Sequence, residues 1–81
     1  MISKKITIHK EILNPDFIVM TAKICSSFNC SVTMYAKDRI VNLKSIVNIF
    51  ATKLESTEEV ELVFDGNDEE DACNTILDLF Q

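Results

Sequence analysis

Eighty-one residues, 47% of them apolar, are enough for one packed domain and too apolar for a disordered chain. One Gly and one Pro leave no flexible linker, repeat or low-complexity stretch. The net charge of −5 is unevenly distributed: residues 1–54 hold all eight Lys and Arg against Glu11, Asp16 and Asp38, and residues 55–81 hold the other ten acids and no base. Such an acidic C-terminal third argues against wrapping nucleic acid, where cations must neutralise phosphate. No apolar run approaches the ~18 residues of a membrane helix, and Met1-Ile2-Ser3-Lys4-Lys5 lacks a secretory h-region. Three cysteines, an odd number without a CxxC, read as reduced thiols of a cytoplasmic protein.

In chain order, Lys5-Ile6-Thr7-Ile8-His9 alternates and predicts a first strand. Asn14-Pro15-Asp16 predicts a helix start: a capping amide, Pro at the first helical position, then an acid in the positive first turn. This helix should run to about Ser27, with a buried stripe of Phe17, Met20, Ile24 and Phe28 widened by Ile18, Ala22 and Cys25. Val32–Ala36 and Arg39–Asn42 predict a hairpin closed by Lys37-Asp38. Ser45 can cap a short helix from Ile46 to about Leu54. Glu59–Phe64 is the cleanest strand, with Val60, Leu62 and Phe64 facing the core, and Asp65-Gly66 closes it. Asn67 with Glu70 resembles a capping box, and Ala72, Cys73, Ile76, Leu77 and Phe80 line a last helix. The order β-α-β-β-α-β-α, with the helices on one face of a mostly antiparallel sheet, predicts a two-layer α+β sandwich in one domain, residues 1–81.

Val41-Asn42-Leu43-Lys44-Ser45-Ile46 resembles the segment around the regulatory serine of HPr, the small phosphocarrier of bacterial sugar-uptake phosphotransferase systems. Gly66-Asn67-Asp68-Glu69 resembles, less specifically, the opening of that family's final helix. The resemblance covers essentially the whole chain and implies an open-faced antiparallel sheet of four strands covered on one face by three helices. In the family a phosphoacceptor histidine opens the first helix and an arginine follows two residues later. Counted back from Ser45 without gaps, Asn14 occupies the histidine position and Asp16 the arginine position. An amide is no acceptor for reversible phosphotransfer, so the resemblance implies a Crh-like relative that lacks the carrier site, with no catalytic residue.

Ser45 matches the serine that a dedicated kinase phosphorylates in HPr and Crh, where the product serves a catabolite-control regulator. Phosphate at the positive end of a helix, beside Lys44, is chemically well placed. The following helix carries more apolar residues than one buried stripe needs, and the resemblance implies a partner-binding patch of Phe17, Lys44, Ile46, Val47 and Phe50. Expected partners are proteins, among them phosphotransferase-system components, HPr kinase or a catabolite-control regulator; the chain itself should be a monomer or weak dimer. The alternatives are a fold-only paralogue with an assembly role, or a phosphocarrier working through His9, the sole histidine. Cys25, Cys30 and Cys73 match no zinc spacing and read as small buried hydrophobes, so no metal or cofactor is expected.

Overall fold

The computed structural model describes residues 1–37, 39–52 and 57–80, and of Lys10 the backbone alone. Its elements are β1 (Ile2–His9), a 3-10 turn (Lys10–Ile12), α1 (Pro15–Ser26), β2 (Ser31–Ala36), β3 (Arg39–Asn42), α2 (Ile46–Ala51), β4 (Thr57–Asp65) and α3 (Glu69–Leu79). All strand pairs are antiparallel in the order β1-β4-β2-β3, and three helices cover one face of this open four-stranded sheet.

The period-2 pattern of β4 builds the core. Val60, Leu62 and Phe64 are buried on the helix side, flanked by Ile8 from β1 and by Val32, Met34 and Ala36 from β2. The strand begins two residues earlier than its alternation suggests, and this brings in Glu58, a carboxylate only 6% exposed. Arg39 holds it with Nη2 2.9 Å from both carboxylate oxygens, and Lys37 stands 4.0 Å away. A buried charge in so small a core is tolerable only with such a partner.

Four further expectations need correction. Strand β1 starts at Ile2, because its whole length pairs with β4 from Ile2↔Phe64 to His9↔Thr57. On α1 the buried arc is Ile18, Thr21, Ala22 and Cys25, while Met20 is 43% exposed and Phe17, Ile24 and Phe28 are half-buried. The buried arc turns into the core while α1 packs mainly beside α2 and α3, which leaves the larger stripe at its margins. Helix α2 ends at Ala51, where Thr52 turns extended (ψ 125°) and donates its backbone N–H to Ile49 O. Asp38 of the predicted turn and Leu54, the predicted end of the second helix, lie outside the described residues; Lys37 opens the hairpin with φ +53°.

The fourth correction concerns α3. Asn67 and Glu70 form no capping box, and Asp68 is the N-cap residue without a side-chain cap bond. Its carboxylate instead accepts the backbone N–H groups of Asn29 and Cys30, both at 2.8 Å, and Glu69 Oε1 accepts the Gly66 N–H at 3.1 Å. The loop after α1 is thereby stitched to the loop before α3. Gly66 makes this approach possible: a Cβ there would lie 2.5 Å from the Cys30 Cα, and its φ of +155° disfavours any side chain.

Gly66→Ala should therefore cost about 2–4 kcal/mol, measured by urea unfolding, because the clash is with backbone rather than a movable side chain. The stitch also sets an acid limit. The backbone N–H groups of Asn29 and Cys30 hold the Asp68 carboxyl below its ordinary 3.8. A depressed carboxylate contributes its full share above that ordinary value and loses it as pH falls through the folded value. The stability gap between the native chain and Asp68→Asn should be constant at neutral pH and shrink below about pH 3.8, as read by urea midpoints across that range.

Candidate functional site

The N-terminus of α1 is built by Asn14-Pro15-Asp16. Asn14 is extended (φ −79°, ψ 162°), its Oδ1 accepts the Phe17 N–H at 2.9 Å, and its carbonyl accepts the Ile18 N–H at 3.0 Å. Pro15 occupies the first helical position, where the missing N–H is not needed, and Asp16 is exposed in the first turn. Phe17 is half-buried and meets Phe80 edge-on with ring centroids 5.4 Å apart. Behind that pair lies a cavity of about 10 Å³, lined by Leu13, Ile18, Thr21, Met34, Leu43 and Ile49 as well as the two rings. The Thr21 hydroxyl faces this apolar setting with no hydrogen-bond partner among the described residues.

The second focus is the turn into α2. Asn42 Oδ1 accepts the Lys44 N–H and Asn42 O the Ser45 N–H, both at 3.0 Å. Ser45 is half-buried; its Oγ accepts the Asn48 N–H at 3.2 Å and its carbonyl the Ile49 N–H at 3.1 Å, so it is the N-cap that the local sequence predicts. Lys44 Nζ donates to Phe28 O at 2.8 Å, tying this turn to the end of α1.

Helix α2 contains no charged residue, and only Ile49 is buried. Val47 is 74% and Phe50 50% exposed; Ile46 is exposed as well. Ile46 also borders an open cleft of about 350 Å³ shared by Ala22, Lys23, Ser26, Ser27 and Lys44. On the other side of α2, Val47 borders a groove of about 300 Å³ that reaches Arg39, Ile40 and Val41 on β3. Ser45, Ile46, Val47 and Phe50 thus share one short helix, with Lys44 at its root. Phe17 stands apart from them as a half-buried ring in the α1–α3 seam.

His9 is exposed at the end of β1, with Nδ1 3.0 Å from Thr57 Oγ1. Burial pushes the Cys25 thiol up to about 12 and raises Cys30 as well, the latter helped by its hydrogen bond to Asp68, so neither is a thiolate at neutral pH. Among the described residues no group of three or more His, Cys, Asp or Glu lies close enough to share a metal ion, and no helix is long and apolar enough to cross a membrane.

Residues 3–81 match the family model for the PTS HPr component phosphorylation site. The chain belongs to the HPr family. The phosphocarrier protein HPr of Mycoplasma capricolum is 36% identical over 55 residues, which span 68% of this chain and 62% of that relative. A histidine-containing phosphocarrier structure from Mycoplasma superposes with a TM-score of 0.88 at 28% identity, covering 96% of this chain and 90% of the other. HPr-C-His from Thermoanaerobacter tengcongensis gives 0.80 at 26% identity, covering 95% and 90%. Crh from Bacillus subtilis gives 0.75 at 21%, covering 84% and 78%, a likeness of fold.

The exposure of Met20 and Ile40 is not legible in the sequence, since both belong to apolar stretches that look like core. Ile18, Ala22 and Cys25, which the sequence already assigns to the widened stripe, are its buried part. Asn14→Ala should cost about 1 kcal/mol of stability and Asn14→Ser nearly nothing, measured by thermal or urea unfolding, because only the hydroxyl can replace the cap bond to Phe17 N.

Proposed function

We propose that this HPr-family chain is a regulatory, protein-binding module that carries no phosphoryl group on histidine and is switched by phosphorylation of Ser45. The observation that carries the reading is the place of Asn14 in the ungapped register from Ser45. It takes the family's acceptor position, and its Oδ1 is already engaged with Phe17 N. The amide nitrogen shares its lone pair with the carbonyl and is a poor nucleophile. Asp16 adds a like charge where a phosphoryl dianion would approach.

For Ser45 the chemistry is ordinary. The Oγ attacks the γ-phosphorus of ATP in a kinase site, ADP leaves, and the hydroxyl proton passes to a base of the kinase. Val47 and Phe50, with Ile46 and Lys44 beside them and Phe17 at the margin, form the partner surface in this reading. Partners are proteins: phosphotransferase-system components, the HPr kinase, or a catabolite-control regulator. The chain acts as a single cytoplasmic domain, monomeric or weakly dimeric, and not as an enzyme.

A second reading keeps the carrier role at His9. What favours it is an exposed imidazole whose Nε2 has no partner among the described residues.

The test is to incubate the purified chain with HPr kinase and ATP and read the mass, with Ser45→Ala as control. One phosphoryl group, absent from Ser45→Ala, is the expected result. In parallel, the general phosphotransfer enzyme with phosphoenolpyruvate should leave no acid-labile label. Label that disappears in His9→Ala would replace the first reading with the second, and no phosphate in either assay would leave a fold-only paralogue.

A further inference from the structure

We propose that Lys44 relays the state of Ser45 to helix α1: phosphate on Ser45 draws the Lys44 ammonium off the carbonyl of Phe28 and loosens the last turn of α1. The inference rests on the reading of Ser45 given above and extends it to what the modification changes.

Lys44 is tied both to the last residue of α1 and to the turn just beyond it. Its Nζ donates to Phe28 O at 2.8 Å, and its own carbonyl accepts from Ser26 Oγ at 3.4 Å. The last turn of α1 is otherwise closed by single bonds, Ser27 N–H to Ile24 O at 3.1 Å and Phe28 N–H to Cys25 O at 3.2 Å, with Ser27 Oγ also donating to Ile24 O at 2.6 Å. A helix C-terminus carries partial negative charge, so the Lys44 ammonium is a favourable cap there, alongside exposed Lys23.

Ser45 is the next residue in the chain. Phosphorylation replaces its neutral hydroxyl with about −1.5 to −2 charges and three acceptor oxygens. The Lys44 ammonium is drawn more strongly to a phosphate bearing a full charge than to the partial charge of a neutral carbonyl. The flexible four-carbon stem of Lys44 can exchange one for the other, and the open cleft it shares with Ala22, Lys23, Ser26, Ser27 and Ile46 has space for the movement. The far end of the loop cannot follow, because the Asn29 and Cys30 N–H groups are held by Asp68. Loosening is therefore confined to Ser26–Phe28, and it reshapes the cleft beside Ile46 and the exposed face of α2.

The test uses the full chain with phosphoserine installed at position 45 during translation, so that it does not depend on any kinase. Amide hydrogen exchange read by NMR should show Ser27 and Phe28 exchanging about two- to fivefold faster than in the unmodified chain, with Asn29 and Cys30 unchanged. Lys44→Met without phosphate should show the same acceleration, and phosphoserine should add nothing to it; Lys44→Gln serves if the Met variant folds poorly. Unchanged Ser27 and Phe28 amides in the phosphoserine chain, or an equal further acceleration in the Lys44 variants, would overturn the relay. Failure of the kinase to label Ser45 would instead sink the proposed function while the relay stood.

Discussion

The register of β4 is the constraint on which the remaining structure depends. The strand is paired on both sides, so one alternation sets the face of three strands at once: Ile2 and Val32 both stand opposite Phe64, and Met34 opposite Leu62. A slip of one residue would carry Val60, Leu62 and Phe64 to solvent and turn Glu59 and Glu61 inward. Such a slip would remove most of what the helices pack against. Burial of the three apolar side chains contributes roughly 1.5–3 kcal/mol each, and a comparable penalty for burying two carboxylates makes the alternative register inaccessible.

With the sheet set, two close approaches position α1. Its buried arc of Ile18, Thr21, Ala22 and Cys25 packs into the core beside α2 and α3, and the Gly66–Cys30 contact with the Asp68 stitch fixes the loop that leaves it. The Thr21 hydroxyl is the cost of this packing, a buried polar atom with no partner among the described residues beside a cavity of about 10 Å³. That volume is at the lower limit for one water, and the remaining walls are apolar, so a water there would lack the two to four partners it needs. The N-terminal end of α1 is closed by Asn14, and its C-terminal end by Lys44 reaching across from the turn before α2. The N-terminal end is thus held by one side-chain contact, and the C-terminal end by Lys44 together with Ser26 Oγ and Ser27 Oγ.

Local signals were legible where local physics decides. The Asn14-Pro15 start, the Ser45 cap, the β2–β3 pairing and the inward face of β4 all follow from one or a few neighbouring residues, and each stands as the sequence predicts. Features that depend on distant residues were not legible. Nothing near Asp68 says that its carboxylate serves Asn29 and Cys30 rather than its own helix. The start of β1 was missed because Lys4, although on the helix side, lies at the sheet edge and stays exposed, which breaks the alternation. On α1 the sequence includes the buried Ile18, Ala22 and Cys25, but hydrophobicity alone adds Phe17 and Met20 and passes over Thr21. Around α2 the sequence predicts both the Ser45 cap and the outward position of Ile46, Val47 and Phe50, which are exposed while Ile49 is buried.

That distribution bears on the kind of binding the proposed surface supports. Helix α2 is six residues long, too short to hold itself by its own hydrogen bonds, and it is kept by the Ser45 cap and the burial of Ile49. It nevertheless exposes Val47 and Phe50. Covering two such side chains contributes only a few kcal/mol before the cost of association, so the patch by itself suits a transient contact and not a permanent one. A weak apolar contact is the kind that one added charge can control, since a change of 1.4 kcal/mol alters affinity tenfold. A phosphate placed at the cap of the same short helix would therefore act where a single charge has the most leverage. The loss of a carrier histidine would leave that leverage intact, because nothing in the cap, the Lys44 tether or the exposed face of α2 depends on the residue at position 14.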